Sequence, residues 1–248
     1  MLINSLAIAS NNEHKPAEHT DNSVWDIEKQ VKTAGAPAGN HHAFVHPFLA
    51  HMGMPDGPGE ISARIMSIEE RNAGIASGTY GFHIEAGIVD RLGLHLRNDA
   101  VKTHSKTEMM LQYAVLKSND GLSGISFIAE MEFPTGSTSN NRIEGLYGIS
   151  FAYLWIPVLA VNSVIHYNPN EKMVEWEISF IGKLTEKIFP VLEFSGDMDQ
   201  SMSSANALFA WKFKASNDSA FALAYRVPVT TPREFDSQLL LQAEFNFE

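Results

Sequence analysis

Cysteine is absent from the 248-residue chain, which excludes disulfide scaffolds, thiolate zinc centres and cysteine nucleophiles together. Its absence suits a reducing cytosol and equally a protein that crosses an oxidising periplasm unpaired. Basic residues are also few: 18 Lys and Arg stand against 29 Asp and Glu, a formal charge of −11. A general nucleic-acid binder is excluded, because neutralising phosphates needs a basic surface. Charge of either sign is sparse at 19%, against 44% hydrophobic and 10% aromatic residues. Neither a G-x-S-x-G elbow nor a nucleotide-binding loop occurs. What remains allows one large β domain or two small ones.

Met1 to Ser10 carries no basic region and too few apolar residues for a complete signal peptide, but Leu6-Ala7-Ile8-Ala9-Ser10 has the small residues a signal peptidase prefers. The expectation is a signal-peptide remnant or a plain leader. Residues 10 to 58 are rich in Asn, His, Pro, Gly and Ala and show no core of their own, so residues 1–58 read as a flexible arm. From Gly59 onward short alternating runs, separated by Gly, Asn, Asp, Ser and Pro, continue almost to the end. That texture predicts an all-β domain over 59–248.

Alternation shows which face of each strand is apolar, because successive side chains point opposite ways. From Phe235 to Phe247 one face reads Phe235, Ser237, Leu239, Leu241, Ala243, Phe245, Phe247, and the other Asp236, Gln238, Leu240, Gln242, Glu244, Asn246. Tyr80, Phe82, Ile84, Ala86 and Ile88 form a second such face, and Ala205, Ala207, Phe209, Trp211 and Phe213 a third. With weaker candidates the count is about twelve strands, an even number that lets an up-and-down sheet close. Many runs approach the roughly 9 to 11 residues that a tilted strand needs to cross a bilayer. The reverse faces hold Ser, Gly, Asn, Gln, Glu and Ala, which suit a watery lumen. Tyr80, Trp155, Trp176 and Trp211 are candidates for interfacial girdles.

Gly145 to Asn170 contains no Asp, Glu, Lys or Arg and is long enough for a membrane helix. Pro157 in its middle and the β-branched and aromatic enrichment predict instead two strands joined by a tight turn near Ile156-Pro157. A lone helix would also leave sheet edges open in lipid. The predicted fold is therefore a closed antiparallel up-and-down transmembrane barrel of about twelve strands with a mobile N-terminal arm.

Three blocks resemble the bacterial outer-membrane channel family known as the meta-pathway phenol-degradation proteins. They are His46-Pro47-Phe48-Leu49-Ala50-His51-Met52-Gly53-Met54-Pro55 leading into Gly57-Pro58-Gly59-Glu60; Glu132-Phe133-Pro134-Thr135-Gly136-Ser137 followed by the Gly145 to Tyr167 hairpin; and Val227-Pro228-Val229-Thr230 followed by Arg233-Glu234-Phe235-Asp236 and the last strand. The resemblance spans most of residues 46–248. It implies a passive outer-membrane channel for small, often hydrophobic or aromatic molecules, and no degradative activity. One departure is Glu248 after Phe247, where such barrels generally end on an aromatic residue read by the insertion machinery.

The pore-lining candidates are Glu85, Glu130, Glu132, Glu175, Glu177, Lys212, Lys214, Arg226, Gln238 and Gln242; Glu130, Glu132, Glu175 and Glu177 with Lys212, Lys214 and Arg226 would set a transverse field, and the clustered carboxylates would discourage anions. Residues 10 to 58 have three placements open: plugging the lumen, lining its periplasmic mouth, or hanging free. His41, His42, His46, His51, Met52 and Met54 carry imidazole and thioether donors suited to copper, set against a flexible arm without fixed geometry. Hence no cofactor and no firm metal is expected. A lipase would draw on His83, His95 or His166 with Ser126, Ser150 or Ser163, but no Ser/His spacing forms a signature. The expected protein is a monomeric, non-enzymatic outer-membrane channel for small solutes, in contact with membrane lipid and the barrel-insertion machinery, and with no nucleic-acid partner. Two alternatives stand beside it: a soluble periplasmic β protein binding a metal or an apolar ligand, and the barrel lipase.

Overall fold

The computed structural model describes residues 46–99, 101, 105–119, 121–135, 142–199, 203–231, 233 and 235–247. Twelve strands follow one another: β1 (Ile61–Asn72), β2 (Ile75–Val89), β3 (Leu92–Asn98), β4 (Lys106–Lys117), β5 (Gly124–Pro134), β6 (Glu144–Ile156), β7 (Leu159–Asn168), β8 (Met173–Gly182), β9 (Ile188–Met198), β10 (Ser203–Lys214), β11 (Ser219–Pro228) and β12 (Ser237–Phe247). Each pairs antiparallel with its neighbours in sequence, and β1 pairs with β12 to close the sheet. Closure matters because the outer surface is apolar, and an open edge there would leave backbone groups without partners.

The period-two pattern resolves as expected from alternation. Phe209, Trp211 and Phe245 are 58%, 48% and 38% exposed, while Glu130, Lys212 and Glu244 are 4%, 0% and 1% exposed. The apolar face therefore points out of the barrel and the charged face into it. The uncharged stretch after Gly145 forms the hairpin of β6 and β7, turning at Pro157 and Val158, where a missing N–H breaks no ladder bond. Among the described residues no helix is long and apolar enough to cross a membrane.

The end carrying this turn and the β2–β3, β4–β5, β8–β9 and β10–β11 turns is called lower here, and the opposite end upper. Register places Trp155, Trp211, Phe213 and Phe247 near the lower rim, and Tyr147 and Trp176 near the upper one. Phe235 departs from the expected outward face. It precedes the start of β12 at Ser237, is buried, and lies under the Arg226 guanidinium at 5.4 Å. The strand pairing with β1 begins only at Ser237, so nothing holds Phe235 to the alternation.

The expected arm of residues 1–58 needs a correction over its last part. Residues 1–45, including His41 and His42, lie outside the described residues, but His46 to Asp56 are seated inside the barrel. Phe48 is fully buried in a cluster with Met66, Ile181, Phe189, Leu208 and Leu240. The interior is accordingly no simple watery tube: an apolar patch shared by β1 and β8–β12 receives this ring beside the charged groups.

Candidate functional site

The loop of residues 46–56 has no ladder of its own, so its backbone polar groups must be satisfied by the surrounding wall. The His46 carbonyl accepts from Lys212 Nζ at 2.9 Å near the lower end of β10, and the Pro47 carbonyl from Arg64 at 3.0 Å. The chain rises to the middle of β9, where Glu193 accepts from the N–H groups of Phe48, of Leu49 at 2.9 Å and of Ala50 at 3.2 Å. Glu177 then accepts from His51 N at 2.7 Å and faces Nδ1 at 2.8 Å, with Arg97 Nη1 2.7 Å from the same ring nitrogen. Descending, Gln112 donates to the Met52 carbonyl at 2.9 Å, Gly53 N donates to Asn162 Oδ1 at 3.0 Å, and Ser150 donates to the Gly53 carbonyl at 2.9 Å. A Cβ on Gly53 would lie 2.4 Å from the Phe151 carbonyl oxygen, so only glycine lets the loop press this closely on β6. Gly57 meets Gly87 in the same way at the lower end of β2.

Two charged clusters tie the loop to the wall. At its base His46 faces Asp56 at 3.4 Å and Glu244 at 3.2 Å, beside the Lys212–Glu244 pair at 2.9 Å and the Arg64–Glu85 pair. Burial works against the charge on His46, but hydrogen bonds and attraction from Asp56 and Glu244 outweigh it and raise its pKa to about 9. The buried cluster thus balances its three carboxylates with Arg64, Lys212 and an imidazolium. At the apex His51 meets Glu108, Glu130, Glu177, Arg97 and His166. Beyond β3, Asp99 pairs with Arg97 and His83 at 2.5 Å each; burial resists its ionisation, but these neighbours hold its carboxyl well below the usual range.

Above the apex lies a cavity of about 290 Å³. Leu49 forms part of its floor, and Ile68, Leu240 and Phe235 add apolar surface beside Glu70, Asp99, Asp197, Arg226 and Gln238. Arg226 is held by Ser195 at 3.2 Å and Gln238 at 3.5 Å.

The closed sheet with greasy outside and charged inside invites comparison with known barrels. It shares its closed-barrel fold with solved porin structures. A structure of the NanC porin superposes with a TM-score of 0.55 at 9% identity, covering 76% of this chain and 99% of NanC. The KdgM porin, solved in complex with disordered oligogalacturonate, gives 0.58 at 9% identity over 76% of this chain and 99% of its own. The COG4313 outer membrane channel from Pseudomonas putida F1 gives 0.56 at 8% identity over 78% of this chain and 97% of its own. No family model and no curated protein matches the sequence.

All ten expected pore-lining side chains lie on inward strand positions, but they divide by task. Arg226 and Gln238 border the upper cavity, and Glu177 lines a smaller space of about 40 Å³ beneath it. Lys212, Gln242 and Glu177 bond directly to the loop, while Glu85 holds the Arg64 that does so. Glu132 pairs with Lys106, Glu130 faces two imidazoles, Glu175 stands opposite His166, and Lys214 is half-buried towards the lower end. Of the metal candidates, His46 and His51 join different clusters, and Met52 and Met54 are buried, with the Met54 sulfur against Ser126 at 3.6 Å. Sequence reasoning did not single out Glu193, Arg64, Arg97 or Gln112 as partners of the loop. The signal for Glu193 was present as one carboxylate at inward spacing after Phe189 and Val191, where nothing but a buried donor set would hold it.

Proposed function

We propose that this protein is a bacterial outer-membrane channel through which small solutes diffuse without energy input, and that the loop of residues 46–56 is its internal constriction. The observation that carries the reading is a closed sheet with its apolar side chains outward, around a polar interior in which a cavity stops at Leu49. An apolar exterior of this extent suits lipid tails and would aggregate in water. The short lower turns suit a periplasmic end and the longer upper connections, such as 135–143, an extracellular one. The mixed lining of Leu49, Ile68, Leu240, Phe235 and Arg226 suits a solute with an apolar body and a polar group. That agrees with the hydrophobic or aromatic solutes implied by the resemblance to the meta-pathway phenol-degradation channels. Passage past the apex requires the loop to shift from Glu193 and Glu177, or the solute to slip around it.

The proposal includes a monomer inserted by the barrel-insertion machinery, and no catalytic role. Ser126 and Ser150, two of the serines a lipase would use, turn their hydroxyls to the Gly53 carbonyl. Reconstitution in planar bilayers tests the reading: low conductance that rises when residues 46–56 are replaced by a short Gly-Ser linker supports it. No conductance at any voltage from either protein overturns it.

A further inference from the structure

The apex of the internal loop meets an unbalanced set of charges. Glu108, Glu177 and Asp99 all pair with Arg97, at 2.8, 3.6 and 2.5 Å, and Glu130 stands beside them. Lys106 on the same wall is taken up by Glu132 and Glu144 at 2.5 and 3.3 Å. Several carboxylates therefore share one guanidinium in a largely enclosed interior, where uncompensated charge is costly. The base cluster around His46 differs, because its cations match its carboxylates.

Within the apex set, Glu130 Oε2 is buried with no hydrogen-bond donor, although His166 Nδ1 faces it at 3.6 Å and His51 Nε2 at 3.8 Å. Glu108 Oε2 lies 3.9 Å from the same His51 nitrogen, and the donor atoms of His51, Glu108 and Glu130 fall within 4.8 Å of one another. His166 Nε2 is likewise buried without a hydrogen-bond partner. Tetrahedral zinc with bonds of about 2.0–2.1 Å sets its donors about 3.3–3.5 Å apart, so the His166–Glu130, His51–Glu130 and His51–Glu108 approaches of 3.6, 3.8 and 3.9 Å need to close by a few tenths of an ångström, while His166, outside the group of three within 4.8 Å, has to swing further in.

We propose that His51, His166, Glu108 and Glu130 form a site for a zinc-class divalent ion, which fastens the loop apex to the wall of β4, β5 and β7. Two imidazoles with two carboxylates favour a borderline first-row ion over magnesium or calcium, which prefer oxygen alone. Arg97 is the competitor: its Nη1 lies 2.9 Å from His51 Nε2. A metal ion displaces the guanidinium from His51 and from Glu108, whose Oε2 its Nε holds at 2.8 Å, and turns it onto Asp99 and Glu177.

Calorimetric titration of zinc into the untagged, chelator-stripped full chain in detergent tests the site. One ion per barrel is expected, with affinity lowered tenfold or more in Glu130→Gln and His166→Ala. Arg97→Gln is expected to bind more tightly, a gain that a misfolded barrel does not give. Cobalt in the unaltered protein is expected to show the strong visible absorption of a four-coordinate centre. The site is overturned by no stoichiometric zinc in the unaltered protein, by zinc retained in the Glu130→Gln/His166→Ala double variant, or by zinc lost from His41→Ala/His42→Ala. Because the readout is metal and not conductance, the channel reading stands or falls separately.

Discussion

Glu193 concentrates the seating of the loop in one side chain, since it accepts from three successive backbone N–H groups and from Ser179 at 3.1 Å. Leaving buried donors unpaired costs about 1–3 kcal/mol each, so Glu193→Leu is expected to unseat the apex while the strands persist. Single-channel recording should show a several-fold larger conductance, and an unchanged one would remove Glu193 from this role. His46 gives the loop a pH dependence of definite sign. Its pKa rises on folding from 6.5 to about 9, so its contribution is fully present below about pH 6.5 and fades as pH climbs through about 9. Channel opening should therefore increase between neutral and alkaline pH, and His46→Gln should flatten that rise. Neither role was legible in the sequence. A histidine in a Pro- and Gly-rich stretch carries no sign of Asp56 and Glu244 around it, since Glu244 lies almost 200 positions away.

At the scale of elements, the strands were legible and the loop was not. Successive residues of a strand meet opposite environments, which is why the outward face of β10 follows from alternation, while Pro157 and the β-branched enrichment around it mark the β6–β7 hairpin. The loop of residues 46–56 has no period, because each residue answers to a different wall partner. Gly53 marks its closest approach to β6, and Gly53→Ala is expected to push the descending limb off that strand and cost about 1–3 kcal/mol of loop seating, since the added Cβ meets the Phe151 carbonyl oxygen. Limited proteolysis would read the loosened loop. The missing cysteines offer a cleaner probe. A single Leu49→Cys thiol should react with a membrane-impermeant reagent added from the upper side, whereas Ser62→Cys, buried below the apex, should be protected.

For the whole molecule, the sign of the sheet decides everything: apolar outward, charged inward. Leu241 stands mid-strand on the outer face at 57% exposure, between Ser67 and Leu223. Placing Leu241→Arg there should cost about 2–4 kcal/mol if lipid surrounds it, and almost nothing if water does. Unfolding titrations in lipid vesicles measure the difference. Boiled and unboiled samples should also migrate differently on a gel, as a closed sheet does when it resists detergent. The twelve strands, their outward faces and the hairpin after Gly145 could be read from residue order, because alternation and a mid-run proline are local signals. What fills the barrel could not be read that way. Closing the sheet brings β4, β5, β7, β9 and β12 around one unpatterned loop, and the resulting carboxylate anchors, histidine clusters and upper cavity exist only between residues that are far apart in the chain.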